Sequence, residues 1–217
     1  LGCATVLSLF GAVKNPVLSE KLYNVLKEYI GNFILYDPPY QAFGYPLPQD
    51  NPNYTPVDDP TLTGDILKVF SDWVGSYYDH PCLAYTASIY DLDGRRKTEK
   101  NSISSWTTEE TVKGIEGDKA KNDLLMFLPA MQQTLCELAQ QALFDGEAVQ
   151  QWFPNVNVTY LGATRTNWAA AWAEMETKKR YHDVLNSLKQ VRNINFFDII
   201  GGNHFVSIIV VFVDAKC

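Results

Sequence analysis

The stretch from Asn157 to Gly202 constrains the fold more than any other part of the chain. "NVTYLG" ends on a glycine, "NWAAAWAEMETKKRYHDVLNSLKQ" has the length and composition of a long helix, and "INFFDIIGG" is a second β-rich run closing on two glycines. Strand, helix and strand in succession predict a parallel pair joined by a crossover helix. Parallel strands occur almost only in layered α/β structures, so this segment sets the fold class as α/β.

A second unit of the same kind lies near the start. Residues 1–12 carry Leu1, Cys3, Ala4, Val6, Leu7, Leu9 and Phe10, apolar almost all round, which predicts a helix covered on most sides. After Asn15-Pro16, "VLSEKLYNVLKEYI" places Val17, Leu18, Leu22, Val25, Leu26 and Ile30 at helical spacing, and Gly31 stops this amphipathic surface helix. Phe33, Ile34, Leu35 and Tyr36 then form a continuous apolar run, expected of a strand buried on both faces, which Asp37-Pro38-Pro39 ends.

Between the two units, residues 38–60 hold seven of the eleven prolines and predict a long irregular excursion. "GDILKVFSDWVGSYYDH" and "NDLLMFLPAMQQTLCELAQQALFD" read as helices, the second interrupted or kinked at Pro129, with "DLDGRRKTEKNS" as an exposed polar turn between them. The expected organisation is therefore a core portion from residues 1–40 and 152–217, split by a helical lid or cap insertion over 41–151. Tyr40, Phe43, Tyr45, Tyr54, Trp73, Tyr77 and Tyr78 are candidates to line an apolar cleft in that insertion, with ordinary core packing as the alternative. The final "VSIIVVFVDAKC" is β-branched and apolar without an amphipathic pattern, and no place in this plan follows for it.

Charge and cysteine usage exclude several functions. A net charge of −7 and a basic cluster as short as Arg95, Arg96 and Lys97 oppose binding to a phosphate backbone, so no nucleic-acid partner is expected. Cys3, Cys82, Cys136 and Cys217 are scattered, with no CxxC pair and no Cys/His spacing suited to zinc. A reducing, cytoplasmic setting is expected, with no metal. Asn53 and Asn157 head glycosylation-type triplets, but the second lies in a strand and neither is expected to be used. No apolar run reaches about eighteen residues, the length a membrane span needs. HExxH, P-loop and GxGxxG patterns are absent, and no cofactor is expected.

His80, before Pro81 at a helix end, and His182, in a charged stretch of the long helix, read as surface residues. His204 follows a buried-type strand and the Gly201-Gly202 turn, which puts it at the carboxyl edge of the sheet, where ligands bind in open α/β folds. A loop histidine that merely caps or hydrogen-bonds is the alternative. Asp37 stands just past another buried strand and so at the same edge if the strands are parallel. A carboxylate there orients an imidazole and stabilises its protonated form, or else it caps the turn before Pro38-Pro39. No G-x-S-x-G occurs, and Ser8, Ser19, Ser71 and Ser104 lie in helices or loops with no strand-to-helix elbow.

Against these residues the opening "LGCATVLSLFGAV" looks like the end of a nucleophile elbow, "S-L-G-C-A", with a serine expected immediately before Leu1. Helix, helix, a strand ending in "LYDPP", a helical insertion, a strand ending in "YLGATRTNW", helix, strand and "GGNHF" follow in order. The chain up to Phe205 thus resembles the carboxyl-terminal half to two-thirds of the α/β-hydrolase fold family. That resemblance implies a partial α/β-hydrolase fold and a serine esterase or acyl hydrolase acting on a small apolar ester-like substrate. It implies His204 as general base and the Leu1 backbone N–H as an oxyanion-hole donor. The acid of the family most often follows the strand that here ends at Gly162, but "GATRTNW" holds no carboxylate, and Asp37 matches the position some members use instead. With the nucleophile expected before Leu1, residues 1–217 by themselves are expected to be inactive. An aspartate at that place would change the chemistry to epoxide or haloalkane hydrolysis. After Phe205 the family continues into a final helix, and the tail here is expected to reflect a misread exon boundary. The competing reading is a non-catalytic α/β protein that binds a small apolar ligand or a partner through the insertion.

Overall fold

The computed structural model describes residues 2–14, 16–56, 66–80, 87–92, 97–114, 128–187, 189–205 and 212–213. Helices α1 (Gly2–Gly11) and α2 (Glu20–Tyr29) lead into β1 (Asn32–Tyr36). The insertion holds a 3₁₀ turn (Tyr40–Phe43), α3 (Ile66–Gly75), β2 (Ser76–Tyr78), β3 (Lys97–Asn101), α4 (Thr108–Gly114), α5 (Pro129–Leu143) and α6 (Gly146–Gln151). The chain then forms β4 (Asn157–Ala163), α7 (Trp168–Asn186), β5 (Ile194–Ile199) and β6 (Phe212–Val213).

The main sheet has the order β1-β4-β5-β6. β1 and β4 run parallel with Leu35 opposite Tyr160, and β4 and β5 run parallel with Gly162 opposite Asp198. The fold is therefore mixed α/β with three parallel strands and flanking helices, the arrangement expected of a crossover helix between β-rich runs. Residues 212 and 213 of the tail pair antiparallel with Ile199 and Asp198, a place that its unpatterned sequence did not suggest. No described helix is long and apolar enough to cross a membrane.

One face of the sheet carries the core. Phe33 stacks on Phe10 of α1 at 4.6 Å between ring centres, and Tyr160 stacks on Phe43 at 6.3 Å. Helix α1 buries Ala4, Leu7, Phe10 and Gly11 and lies so close to α5 that a side chain at Gly11 would overlap the Leu138 carbonyl. Cys3, Val6 and Leu9 also pack against the core and only Gly2 and Thr5 are exposed, so α1 is covered on most sides as expected. In β1, Phe33 and Leu35 are buried while Ile34 remains 55% exposed. The strand is thus buried on one face, not both: it is the end strand of the sheet among the described residues, and no helix there covers its second face. Helix α2 is amphipathic as expected, yet it seats Tyr23, Leu26 and Ile30 on the core and leaves Leu22, Val25 and Tyr29 exposed.

The described residues between β1 and β4 are less helical than the sequence suggests. Helix α3 stops at Gly75, and Ser76–Tyr78, which the helical reading included, form a strand paired antiparallel to Lys97–Asn101. β3 is polar and mostly exposed, so its sequence resembles a turn; Arg95 and Arg96 lie outside the described residues. Pro129 starts α5 at its first turn, where a missing N–H costs nothing, and residues 115–127 before it lie outside the described residues. Of the expected cleft aromatics, Tyr40, Phe43, Tyr45 and Tyr78 pack in the hydrophobic core.

Two buried polar groups tie these layers. Arg192, 1% exposed, donates from Nε to the Ala142 carbonyl at 2.6 Å, from Nη1 to Phe153 and Val156 at 2.7 and 2.9 Å, and from Nη2 to Trp152 at 3.1 Å. It thereby joins the ends of α5 and α6 to the start of β4. On the sheet, Glu174 of α7 is 2% exposed; its neighbour Lys178 contacts it at 2.7 Å and Asp198 of β5 at 3.2 Å. A side chain at Gly162 would overlap the Glu174 carboxylate, so glycine is what admits this cluster against β4.

Arg192→Met should destabilise the fold by about 3 kcal/mol or more, because buried carbonyls lose their donors, and urea unfolding would measure it. Burial pushes the Glu174 carboxyl up from 4.5 to about 8, with Lys178 opposing and Asp198 reinforcing the shift. The folded chain then holds a proton that the unfolded chain releases, so this stability is present below about 4.5 and is lost as pH rises through about 8. Glu174→Gln should leave the melting temperature nearly unchanged at pH 5 and raise it relative to the wild type at pH 9; a difference independent of pH would contradict this.

Candidate functional site

Strand β1 delivers Asp37 to the carboxyl edge of the sheet, and the parallel neighbours deliver their own ends to the same edge. Asp37 adopts φ 39°, a left-handed backbone that aspartate tolerates better than most residues, and its N–H donates to Leu161 of β4 at 2.7 Å. Its carboxylate is 2% exposed, too deep to stand without partners. Oδ1 accepts from the Ala163 N–H at 3.1 Å, and Oδ2 accepts from Thr166 Oγ1 at 2.6 Å and from His204 Nδ1 at 2.8 Å.

The turn after β5 brings His204 to that carboxylate. Gly201 takes φ 72°, its N–H donates to Thr164 Oγ1 at 2.9 Å, and the Gly202 carbonyl accepts from the Arg165 N–H at 2.8 Å. Tyr36 Oη donates to the His204 carbonyl at 2.8 Å and fixes the backbone of the histidine itself. With Nδ1–H committed to Asp37, the neutral ring presents the Nε2 lone pair, the tautomer a general base requires. Nε2 has no hydrogen-bond partner among the described residues, and the side chain is 28% exposed.

His204 and Asp37 line a cavity of about 600 Å³. Its walls are mainly apolar, with Val6 of α1, Ile34 of β1 and Phe70, Trp73 and Val74 of α3. The first turn of α1 opens onto the same cavity through Gly2 and Cys3. Leu1, the expected oxyanion donor, lies outside the described residues. Among the described residues no serine lines the cavity: Ser8 Oγ donates to the Ala4 carbonyl, Ser19 caps α2, and Ser104 Oγ donates to the Asn101 carbonyl. Burial pushes the Cys3 thiol up, which keeps it protonated and weakly nucleophilic.

The two residues singled out from sequence therefore meet, across 167 positions of chain. The alternative role for Asp37 also holds in altered form: it does not cap the Pro38-Pro39 turn but secures the turn between β4 and α7 through Ala163 and Thr166. His80 is half-buried, with Nε2 2.7 Å from the Thr166 carbonyl, and His182 pairs with Asn186 along α7. Thr166 and Tyr36 lie in the quoted stretches "YLGATRTNW" and "LYDPP" but are not singled out there as site residues, since each acquires its role only when β1, β4 and β5 align. Among the described residues no group of three or more His, Cys, Asp or Glu side chains is placed to hold a metal ion.

Thr166→Val removes one of three donors from a buried carboxylate and should cost about 1.5–3 kcal/mol of stability by urea unfolding, while Thr166→Ser should cost far less. A loss in Thr166→Ser as large as or larger than that in Thr166→Val would contradict a dominant role for the hydroxyl. Comparisons with protein-family models, with curated proteins and with solved structures find no match for this chain.

Proposed function

We propose that the chain carries the base, the acid and the substrate cavity of a serine-type acyl hydrolase, and that it corresponds to the carboxyl-terminal portion of an α/β-hydrolase fold. The observation that carries this reading is the His204–Asp37 pair, 2.8 Å apart at the ends of parallel strands and on the wall of an apolar cavity. In this mechanism His204 Nε2 takes the proton of a serine hydroxyl as that oxygen attacks the acyl carbon. Asp37 holds the ring and stabilises the imidazolium, and the proton passes on to the leaving alcohol. A water activated by the same nitrogen then releases the acid. The apolar walls suit a small ester with a hydrocarbon body.

Two features support a nucleophile before Leu1. Gly2 and Cys3 of α1 line the same cavity as His204. Among the described residues β1 is an end strand with Ile34 55% exposed, which is compatible with one more parallel strand beside it. A serine before Leu1, with the Leu1 N–H as oxyanion donor, fits both features. Binding without chemistry is the second reading, favoured by the lack of a serine among the described residues that line the cavity.

A polypeptide that includes the sequence upstream of Leu1 should hydrolyse short-chain p-nitrophenyl esters, whereas residues 1–217 alone should not. In the longer polypeptide His204→Ala and Asp37→Asn should each lower kcat by about 10⁴-fold or more. Turnover like that of the wild type in His204→Ala would remove His204 as the base, and absence of turnover in the longer polypeptide would leave the binding reading.

A further inference from the structure

Asn203, immediately before His204, is fully buried, and both ends of its carboxamide are in use. Nδ2 donates to the Gly75 carbonyl at 2.6 Å, at the last residue of α3. Oδ1 accepts from Ser102 Oγ at 3.1 Å and from the Phe205 N–H at 3.1 Å. Gly75 and Ser102 belong to the insertion, and Asn203 and Phe205 flank the histidine. Trp106 of the insertion adds an edge-on contact to Phe205 at 5.6 Å between ring centres.

The role of Asn203 is separable from bulk stability because its partners keep other bonds. The Gly75 carbonyl also accepts from the Ser102 N–H at 2.8 Å, and Ser102 Oγ is 3.2 Å from Tyr77 Oη. Loss of the carboxamide therefore orphans little in the insertion. What it weakens is the hold of the insertion on the histidine loop, which keeps Ser102 Oγ to the Phe205 carbonyl at 3.4 Å and the Trp106 contact from that side, and Arg165 to Gly202 and Tyr36 to the His204 carbonyl from the sheet side.

We propose that Asn203 is a positioning residue through which the insertion sets the place of the His204 imidazole. The inference rests on reading His204 as the base. Helix α3 then has two tasks: Phe70, Trp73 and Val74 wall the cavity, and its final carbonyl anchors the loop that holds the base. A molecule pressing on that wall is mechanically linked to His204 through Gly75 and Asn203. The insertion is part of the acid–base machinery, not only a cover over it.

The test uses residues 1–217 and needs no turnover. The Nδ1–H proton held by Asp37 gives a low-field NMR resonance that exchanges slowly with water. In Asn203→Ala its exchange should accelerate on the order of ten-fold, the size expected when about one net hydrogen bond is lost, with little change in melting temperature. Ser102→Ala, which removes the hydroxyl donor to Oδ1 together with its contacts to Tyr77 Oη and the Phe205 carbonyl, should give a smaller acceleration and keeps the question answerable if Asn203→Ala does not fold. Unchanged exchange in a folded Asn203→Ala, or in Ser102→Ala where that is the variant that folds, would overturn the proposal. Absence of the resonance in the wild type, or its persistence in Asp37→Asn, would instead overturn the His204–Asp37 pairing on which the proposal rests.

Discussion

The carboxylate of Asp37 is the constraint on which this structure turns. A buried anion is costly unless every oxygen finds a donor, and its donors come from two segments distant in sequence: the turn after β4 and the loop after β5. Meeting them requires β1, β4 and β5 to be parallel and in register, because only then do three strand ends converge on one edge. The sheet topology and the Asp37–His204 pair are thus two consequences of the same arrangement. A slip in β1 register would move Asp37 away from Ala163 and His204 together.

The layers behind that edge are locked by polar groups placed where packing alone would leave freedom. Arg192 satisfies carbonyls at the ends of two helices with one guanidinium, and the Glu174–Lys178–Asp198 cluster pins α7 to the sheet. Small residues make this possible: glycine at 11 lets α1 approach α5, and glycine at 162 admits the Glu174 carboxylate. A rigid base beneath the strand ends is what allows a loop histidine to be held to a defined position, and rigidity of this sort is what general-base chemistry requires.

Much of this was legible in the sequence, for identifiable reasons. The β4–α7–β5 unit announces itself because its periodicity changes between two glycine-bounded runs, and Asp37 and His204 stand out because each follows an apolar run at a turn. Other parts had no local signal. Lys97–Asn101 forms a strand through pairing with Ser76–Tyr78, while its polar composition alone reads as a turn. Arg192 has the sequence context of a surface residue, and only the convergence of three element ends buries it. Ile34 belongs to an apolar run that promised burial on both faces, yet burial depends on what packs there, which a run of residues does not encode.

The most direct test of the acyl-hydrolase account is the site of covalent labelling by a fluorophosphonate on the polypeptide that includes the sequence upstream of Leu1. The account expects a single adduct on a serine immediately before Leu1, formed rapidly in the wild type and suppressed in His204→Ala. An adduct elsewhere, or one whose formation is indifferent to His204, would contradict it.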